Sequence, residues 1–323
     1  MASLLLKGRF ALELPRINQA LTSAVATLPL STQSIAKHIF EAGGKRLRPF
    51  LTVISARLLG YKQEDVYKLA ITLEMLHAAT LLHDDIIDQA PLRRGRPSAH
   101  TTFPLNATIL AGDALLAQGN ALVAEFNDPL LSACFSKATS QTCAGEISEI
   151  DHQYDPELSH EAYIEIIRGK TAKLISCACE MGALLAKAKS LQVQACAFFG
   201  ENIGLAFQLV DDAIDFAPEA QTGKPSGGDL REGKLTLPLR FYQDSLDPEA
   251  KKAFKQAFRT GAFSEEDCQQ IVKRIQAAGF DQQTRQCANT YLEAATKALE
   301  NLPPQSEKQL LLAMAQYVRD RTK

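Results

Sequence analysis

The chain has 323 residues, 46% of them hydrophobic, and 35 lysines and arginines against 37 acids leave a formal charge of −2. That length holds one large domain or a few average ones, each with a substantial core, and the balanced charge with no long basic tract sets nucleic-acid partners aside. The seven cysteines, odd in number and without a CxxC pair, lie mostly in apolar surroundings, the pattern of buried thiols in a reducing compartment.

The N-terminal MASLLLKGRFALELPR has only a three-leucine apolar run, too short for a signal-peptide core, and no uncharged apolar run reaches membrane-spanning length. The expectation is a soluble, cytoplasmic protein with no membrane anchor. Apolar residues recur at helical spacing almost throughout, as in LAITLEMLHAATLLHDDIID (69–88) and LQVQACAFFGENIGLAFQLVDDAID (191–215), and no Asn-Gly or Asp-Gly signal marks a hairpin. The pattern predicts an all-α chain with helices over 15–28, 31–42, 47–59, 63–89, 104–126, 129–151, 159–186, 190–217, 232–244, 248–258, 264–278, 281–301 and 306–321. Only the loops 89–99 and 217–232 stand out, and with no linker or compositional shift the chain is read as a single domain, 1–323.

In chain order, the first chemical feature is GGKRLRP (43–49), which sets Lys45, Arg46 and Arg48 beside two glycines, with Pro49 suited to the first turn of the next helix. Arginine forks grip phosphate oxygens bidentately and lysine acts as a point charge, although a basic turn is also ordinary solvated surface. His77 precedes Asp84 by seven residues, nearly two turns, and shares its stripe; alone, such a histidine reads as a core residue with a satisfied hydrogen bond.

Asp84 and Asp88 lie one turn apart on one face, as do Asp211 and Asp215. Like charges at that spacing oppose a helix unless something positive sits between them. HDDIIDQAPLRRG and VDDAIDFAPEAQTGK repeat one device, an acid cluster at a helix end followed by a proline and a basic loop. Acids at helix ends are commonly just solvated, but the duplication argues for a shared role. Oxygen-only clusters suit a hard cation such as Mg2+, which takes one or two carboxylates plus phosphate oxygens and water, so two stripes suit a single diphosphate. The spacing of an EF-hand is missing, and TGKPSGG neither has the GxxxxGK[ST] pattern nor follows a strand.

Together GGKRLRP, LEMLHAATLLHDDIID with LRRG, AGD (111–113), GKTAKL (169–174), FQLVDDAID and TGKPSGGDLREGKLTLPL, in this order between residues 43 and 239, resemble the trans-polyprenyl diphosphate synthases, and among them the long-chain, octaprenyl type. The resemblance implies an all-α bundle of the isoprenoid synthase type with a central active-site cavity, working as a homodimer. It implies that Asp84, Asp88 and Asp211 hold three Mg2+ ions on the diphosphate of an allylic substrate. Asp215, also in the metal set, would support them with Asp85 and Asp212, through water or neighbouring contacts. Arg93, Lys170, Lys224 and Lys234 would surround the same diphosphate, and Lys45, Arg48, His77 and Arg94 would bind isopentenyl diphosphate. Thr171 and Gln208 would lie by the reacting carbon, their dipoles steadying the cation.

The implied reaction ionises the allylic diphosphate, farnesyl or geranylgeranyl, lets the double bond of isopentenyl diphosphate attack the cation, and passes the lost proton to the released diphosphate. Repeated cycles lengthen the chain by one isoprene unit each. By the resemblance, the residue five positions before the first aspartate gates the hydrocarbon path, and here it is Ala79, preceded by Ala78, with Leu76, Met75 and Thr72 one and two turns back. Alanine leaves that path open, and DDIID carries no two-residue insertion, so the expected product is octaprenyl diphosphate within a hexaprenyl-to-decaprenyl range, for a quinone side chain or another lipid.

Three alternatives stand beside this reading: a farnesyl or geranylgeranyl diphosphate synthase, a non-catalytic subunit of a heteromeric synthase, and a terpene cyclase. Cyclases usually lack a second DDxxD followed by GKxxGxD, which Gly223, Lys224, Gly227 and Asp229 complete here. Where Glu149 stands in AGEISEI the family often has Gln or Asp, leaving open whether it substitutes or turns outward. Membrane contact is expected only transiently, at product release.

Overall fold

A computed structural model of the chain describes residues 2–219 and 226–322, and these are helical almost throughout. They form two compact units, one of Met1–Thr139, Cys177–Ala197 and Leu302–Leu311, the other of Ser140–Ser176, Phe198–Asn301 and Leu312–Lys323.

The first unit contains α1 (Ala2–Val25), α2 (Leu30–Glu41), α3 (Leu47–Leu58), α4 (Val66–Ile87), α5 (Ala99–Thr102) and α6 (Leu105–Ala124). α4 lies among α1, α2, α3, α5 and α6, as its composition requires, because a helix apolar on all sides has to be enclosed. Its buried polar residues include Glu74, which pairs with Arg46, and Asp85, which pairs with Arg93. α6 comes close at Gly119, where an added Cβ would lie 3.3 Å from the Thr72 carbonyl oxygen and 3.2 Å from the buried Phe135 ring.

Two expectations for this unit are corrected. The first helix does not begin at Pro15 but runs through it from Ala2. Leu6 and Phe10 explain the extension: Leu6 is buried and the Phe10 ring stacks on Phe50 at 3.9 Å, so the upstream turns are held by packing. The loop 89–99 is not purely irregular, since Leu92–Arg93 (β1) pairs antiparallel with Arg96–Pro97 (β2). Its turn residues Arg94 and Gly95 sit at φ 52° and 76°, the paired left-handed conformation of a two-residue hairpin, reached here without Asn-Gly.

The remaining helices are α7 (Pro129–Asp151), α8 (His160–Ile167), α9 (Lys173–Leu185), α10 (Ser190–Asp215), α11 (Gly228–Arg231), α12 (Leu237–Ser245), α13 (Pro248–Thr260), α14 (Glu265–Ala278), α15 (Phe280–Ala298) and α16 (Ser306–Arg319). The single helix expected over 159–186 is broken by a π-helical turn, Arg168–Ala172. Glycines bring it close to its neighbours: an added Cβ at Gly145 of α7 would lie 2.3 Å from the Lys170 nitrogen, and one at Gly204 of α10 would lie 2.5 Å from the Ala172 Cα. Such widened turns recur where side chains are re-aimed for function. The helix expected from 232 starts at Leu237, because the Lys234 amide bonds the Asp229 carbonyl at 2.8 Å and holds the preceding residues in turns.

By length and composition α6 and α10 are apolar enough to cross a bilayer although neither is free of charged residues; 56% of the apolar stretch of α10 is buried in the protein but only 39% of that of α6. All seven cysteines are free thiols.

Candidate active site

The basic turn of the first unit is built around its glycines. Gly43 sits at φ +88°, and an added Cβ on Gly44 would lie 2.9 Å from Nη1 of Arg46 and 3.0 Å from Nη1 of Arg94, so two guanidiniums lie against this bare backbone. Arg46 is committed elsewhere: its Nη1 donates to Glu74 at 2.8 Å and its Nη2 to the Phe40 carbonyl at 2.8 Å. Arg48 is different, for its Nε is buried with no hydrogen-bond partner.

Burial lowers Arg48 and Arg94 from their ordinary values, opposed in both by Glu74 and reinforced by Arg94 at Arg48 and by Arg93 and Arg46 at Arg94. Burial, and then the charges of Arg48, Arg94, Arg93 and Arg46, push His77 well below the ordinary imidazole value, so it is neutral at physiological pH. Arg48, His77 and Arg94 are thus one electrostatic cluster with cationic charge to spare, while Lys45 stands exposed on the same turn.

On α4, Asp84 is half-buried and Asp88, one turn on, is exposed at the helix C-terminus. Asp85 points inward: it is 1% exposed, its Oδ1 lies 2.7 Å from Nε and 2.5 Å from Nη2 of Arg93, and its Oδ2 is buried without a partner. Upstream on the same helix Ala79, Ala78, Leu76, Met75 and Thr72 are all buried.

In the second unit a cleft is lined by Glu149, Lys170, Gln208, Asp212, Asp229 and Lys234, among others. Glu149 turns inward, with Oε1 2.6 Å from Lys170 Nζ and 3.5 Å from Lys234 Nζ, which resolves its orientation. Glu146 adds a second carboxylate 3.0 Å from Lys170. Burial alone would lower both lysines, but Glu149 with Glu146 raises Lys170, and Glu149 with Glu232 raises Lys234. Burial likewise opposes ionisation of Glu149, yet the two lysines hold it below the ordinary carboxylate value.

The π turn aims Thr171 at Gln208: Thr171 Oγ1 donates to Gln208 Oε1 at 2.8 Å, Gln208 Nε2 donates to Asp212 Oδ1 at 2.9 Å, and the buried Tyr163 hydroxyl donates to Asp212 Oδ2. Burial pushes Asp212 up to about 7, against the pull of these two donors. Asp215 receives the amides of Gly228 and Asp229, each at 3.1 Å, and so ties down the loop that follows. Asp229 is raised well above the ordinary value by burial and by Asp215 and Asp212, and its Oδ2 is buried without a partner. Asp211 meets Arg321, Nη2 to Oδ1 at 2.7 Å. Lys224 and Gly223 lie outside the described residues.

Sequence reasoning missed Tyr163, Glu146 and Arg321. The spacing of Tyr163, seven residues before Lys170 and across the π turn, hides its direction, and Arg321 lies beyond the last motif.

Among the described residues no three His, Cys, Asp or Glu side chains converge to enclose an ion by themselves. Asp84 and Asp211 are half-exposed carboxylates, and the neighbouring His83 is turned to the Ile109 carbonyl at 3.1 Å, so these oxygens fit a hard cation that completes its shell with water and phosphate oxygens, as Mg2+ does.

The polyprenyl synthetase profile matches residues 30–275. An all-trans-nonaprenyl-diphosphate synthase (geranyl-diphosphate specific) of Rhodobacter capsulatus is 35% identical over 307 residues, 94% of this chain and 92% of that one. Heptaprenyl diphosphate synthase component 2 of Geobacillus stearothermophilus is 33% identical over 310 residues, 96% of each. Among solved structures, a polyprenyl synthase of Caulobacter crescentus CB15 complexed with calcium and isoprenyl diphosphate superposes with a TM-score of 0.91 at 32% identity, covering 100% of this chain and 98% of that one. The chain belongs to the polyprenyl synthetase family of prenyltransferases.

Proposed function

We propose that this protein condenses an allylic diphosphate, farnesyl or geranylgeranyl, with successive isopentenyl diphosphates to give a long all-trans polyprenyl diphosphate of octaprenyl length. The observation that carries this is the arginine cluster around a neutral His77, where Arg48 keeps a buried Nε without a partner. A buried donor left unpaired is costly, and a diphosphate oxygen is the acceptor that satisfies it. Arg48, Arg94, His77 and Lys45 accordingly take isopentenyl diphosphate.

Asp84, Asp88 and Asp211 hold Mg2+, three ions in all, with Asp215, Asp85 and Asp212 in support. Bound Mg2+ supplies positive charge to the departing diphosphate. Arg93, Lys170, Lys224 and Lys234 add their charge to the allylic diphosphate, and release of Lys170 and Lys234 from Glu149 accompanies its arrival. Thr171 and Gln208 present oxygen dipoles to the allylic cation, which the isopentenyl double bond attacks, and the released diphosphate takes the proton. The apolar residues Ala79, Leu76 and Met75 line the path of the growing chain and set its length.

Pairing of two copies in a homodimer through α6 is supported by Leu105, Ile109 and Leu110, which are 49%, 38% and 64% exposed on a helix of spanning-grade apolarity. A second reading, a subunit that needs a different partner chain, is favoured by the relative called component 2.

The deciding experiment incubates the purified chain with farnesyl diphosphate, radiolabelled isopentenyl diphosphate and Mg2+, and chromatographs the dephosphorylated products. A ladder ending near the octaprenol supports the main reading. No incorporation by folded protein supports the partner-subunit reading.

A further inference from the structure

We infer that Tyr163 is a positioning residue that anchors a hydrogen-bond chain through Asp212 and Gln208, the chain that holds the Thr171 hydroxyl with a lone pair rather than a proton toward the reacting carbon. The inference rests on the prenyl-transfer reading and adds to it a residue outside every motif.

The chain has one consistent direction. Asp212 accepts at both oxygens, from the Tyr163 hydroxyl at Oδ2 and from Gln208 Nε2 at Oδ1, 2.9 Å away. With its amide nitrogen committed to Asp212, Gln208 has only its oxygen for Thr171, and Thr171 Oγ1 lies 2.8 Å from that oxygen. The single proton of the Thr171 hydroxyl is therefore spent on Gln208. What remains on Oγ1 is lone pairs, which stabilise a nearby cation, whereas an outward proton would oppose it.

Tyr163 and Asp212 are both 4% exposed, while Thr171 and Gln208 are half-buried, so the anchor of the chain is sealed and its working end is not. The position of Thr171 is fixed independently, because the π turn that carries it lies against Gly145 and Gly204. Backbone contact places Thr171; the chain anchored at Tyr163 holds its hydroxyl. The Tyr163 hydroxyl is spent on Asp212, so its effect passes through Gln208 to Thr171.

The test is a double-mutant cycle on the full chain with farnesyl diphosphate, isopentenyl diphosphate and Mg2+, following single-turnover rates where turnover is slow. Tyr163→Phe is expected to lower kcat by about tenfold to a hundredfold, with KM for both substrates within about twofold of wild type. In a Thr171→Ala background the same change is expected to alter the rate by less than about twofold. An unchanged kcat, a loss confined to KM, or an equal loss in both backgrounds, the mark of a merely structural role, overturns the inference.

Should Tyr163→Phe fail to fold, Asp212→Asn serves in its place. This isosteric change offers Gln208 a donor and reverses the chain, and its rate loss should also shrink in the Thr171→Ala background. An inert wild-type enzyme defeats the prenyl-transfer reading itself, whereas an active wild type beside an additive cycle defeats only the Tyr163 role.

Discussion

Arg321 Nη2 lies 2.7 Å from Oδ1 of Asp211, with the Arg321 side chain 8% exposed and its guanidinium 4.1 Å above the Phe207 ring. A residue from the end of the chain thus occupies the carboxylate assigned to the metal. Two of its nitrogens, Nε and Nη1, are buried without partners, so the pairing is held by geometry and stacking rather than by full hydrogen bonding. Mg2+ at Asp211 must displace this counter-ion. Arg321→Gln is therefore expected to tighten Mg2+ binding to the substrate-free protein by about fivefold to thirtyfold, as a charged hydrogen bond worth roughly 1–2 kcal/mol no longer competes. Calorimetric titration with MgCl2 checks it, and equal affinities would mean that Asp211 does not take the ion.

Glu149 bridges Lys170 and Lys234. Glu149→Gln leaves two half-buried lysines with less negative charge around them, which favours an incoming anion and weakens the empty fold. Inorganic diphosphate should bind several-fold more tightly, while the melting temperature falls by a few degrees, the scale of about 1 kcal/mol. Weaker diphosphate binding would instead make Glu149 part of a cation site.

Much of this was legible in the sequence because helical periodicity survives burial. α4 reads as a buried helix from its apolar run alone, and the motif acids fall on the stripes their spacing predicts. What the sequence hides is direction. Asp84 and Asp85 are neighbours, yet one is half-buried and the other sealed against Arg93, and nothing in HDDIID tells them apart. The π turn was invisible because one glycine in a helical run does not specify a widened turn, and only Gly145 and Gly204, remote in sequence, explain how close it lies to α7 and α10. Arg94-Gly95 made a hairpin where the usual turn pair was absent.

Asp212 makes the empty fold sensitive to pH. Its value in the folded protein is raised to about 7, above the roughly 3.9 of an unfolded aspartate, so the folded state holds the extra proton between those values. Its contribution to stability is full below about 4 and is lost as pH rises through about 7. With chelator present, the stability difference between wild type and Asp212→Asn, read from their melting temperatures, should move against wild type from pH 5 to pH 8 by an amount on the order of a few kcal/mol. Because other carboxylates titrate in both proteins, only this difference is informative, and a difference independent of pH would refute the assignment.

Ala79 is 3% exposed on α4, with Leu76 and Met75 buried on the preceding turns. A tyrosine there must either enter the path assigned to the growing chain or force the helices apart, and overpacking of that kind costs roughly 1–3 kcal/mol. Ala79→Tyr should thus stop elongation several isoprene units early, with the first condensation still running and the melting temperature a few degrees lower. Met75→Ala, which removes bulk from a deeper turn, should shift the ladder the other way. Chromatography of the dephosphorylated products reads both variants at once. If the two ladders end where the wild-type ladder ends, α4 does not line the hydrocarbon path, and product length must be set by other buried residues such as Phe135, which lies against Gly119 beside Thr72 and Met75.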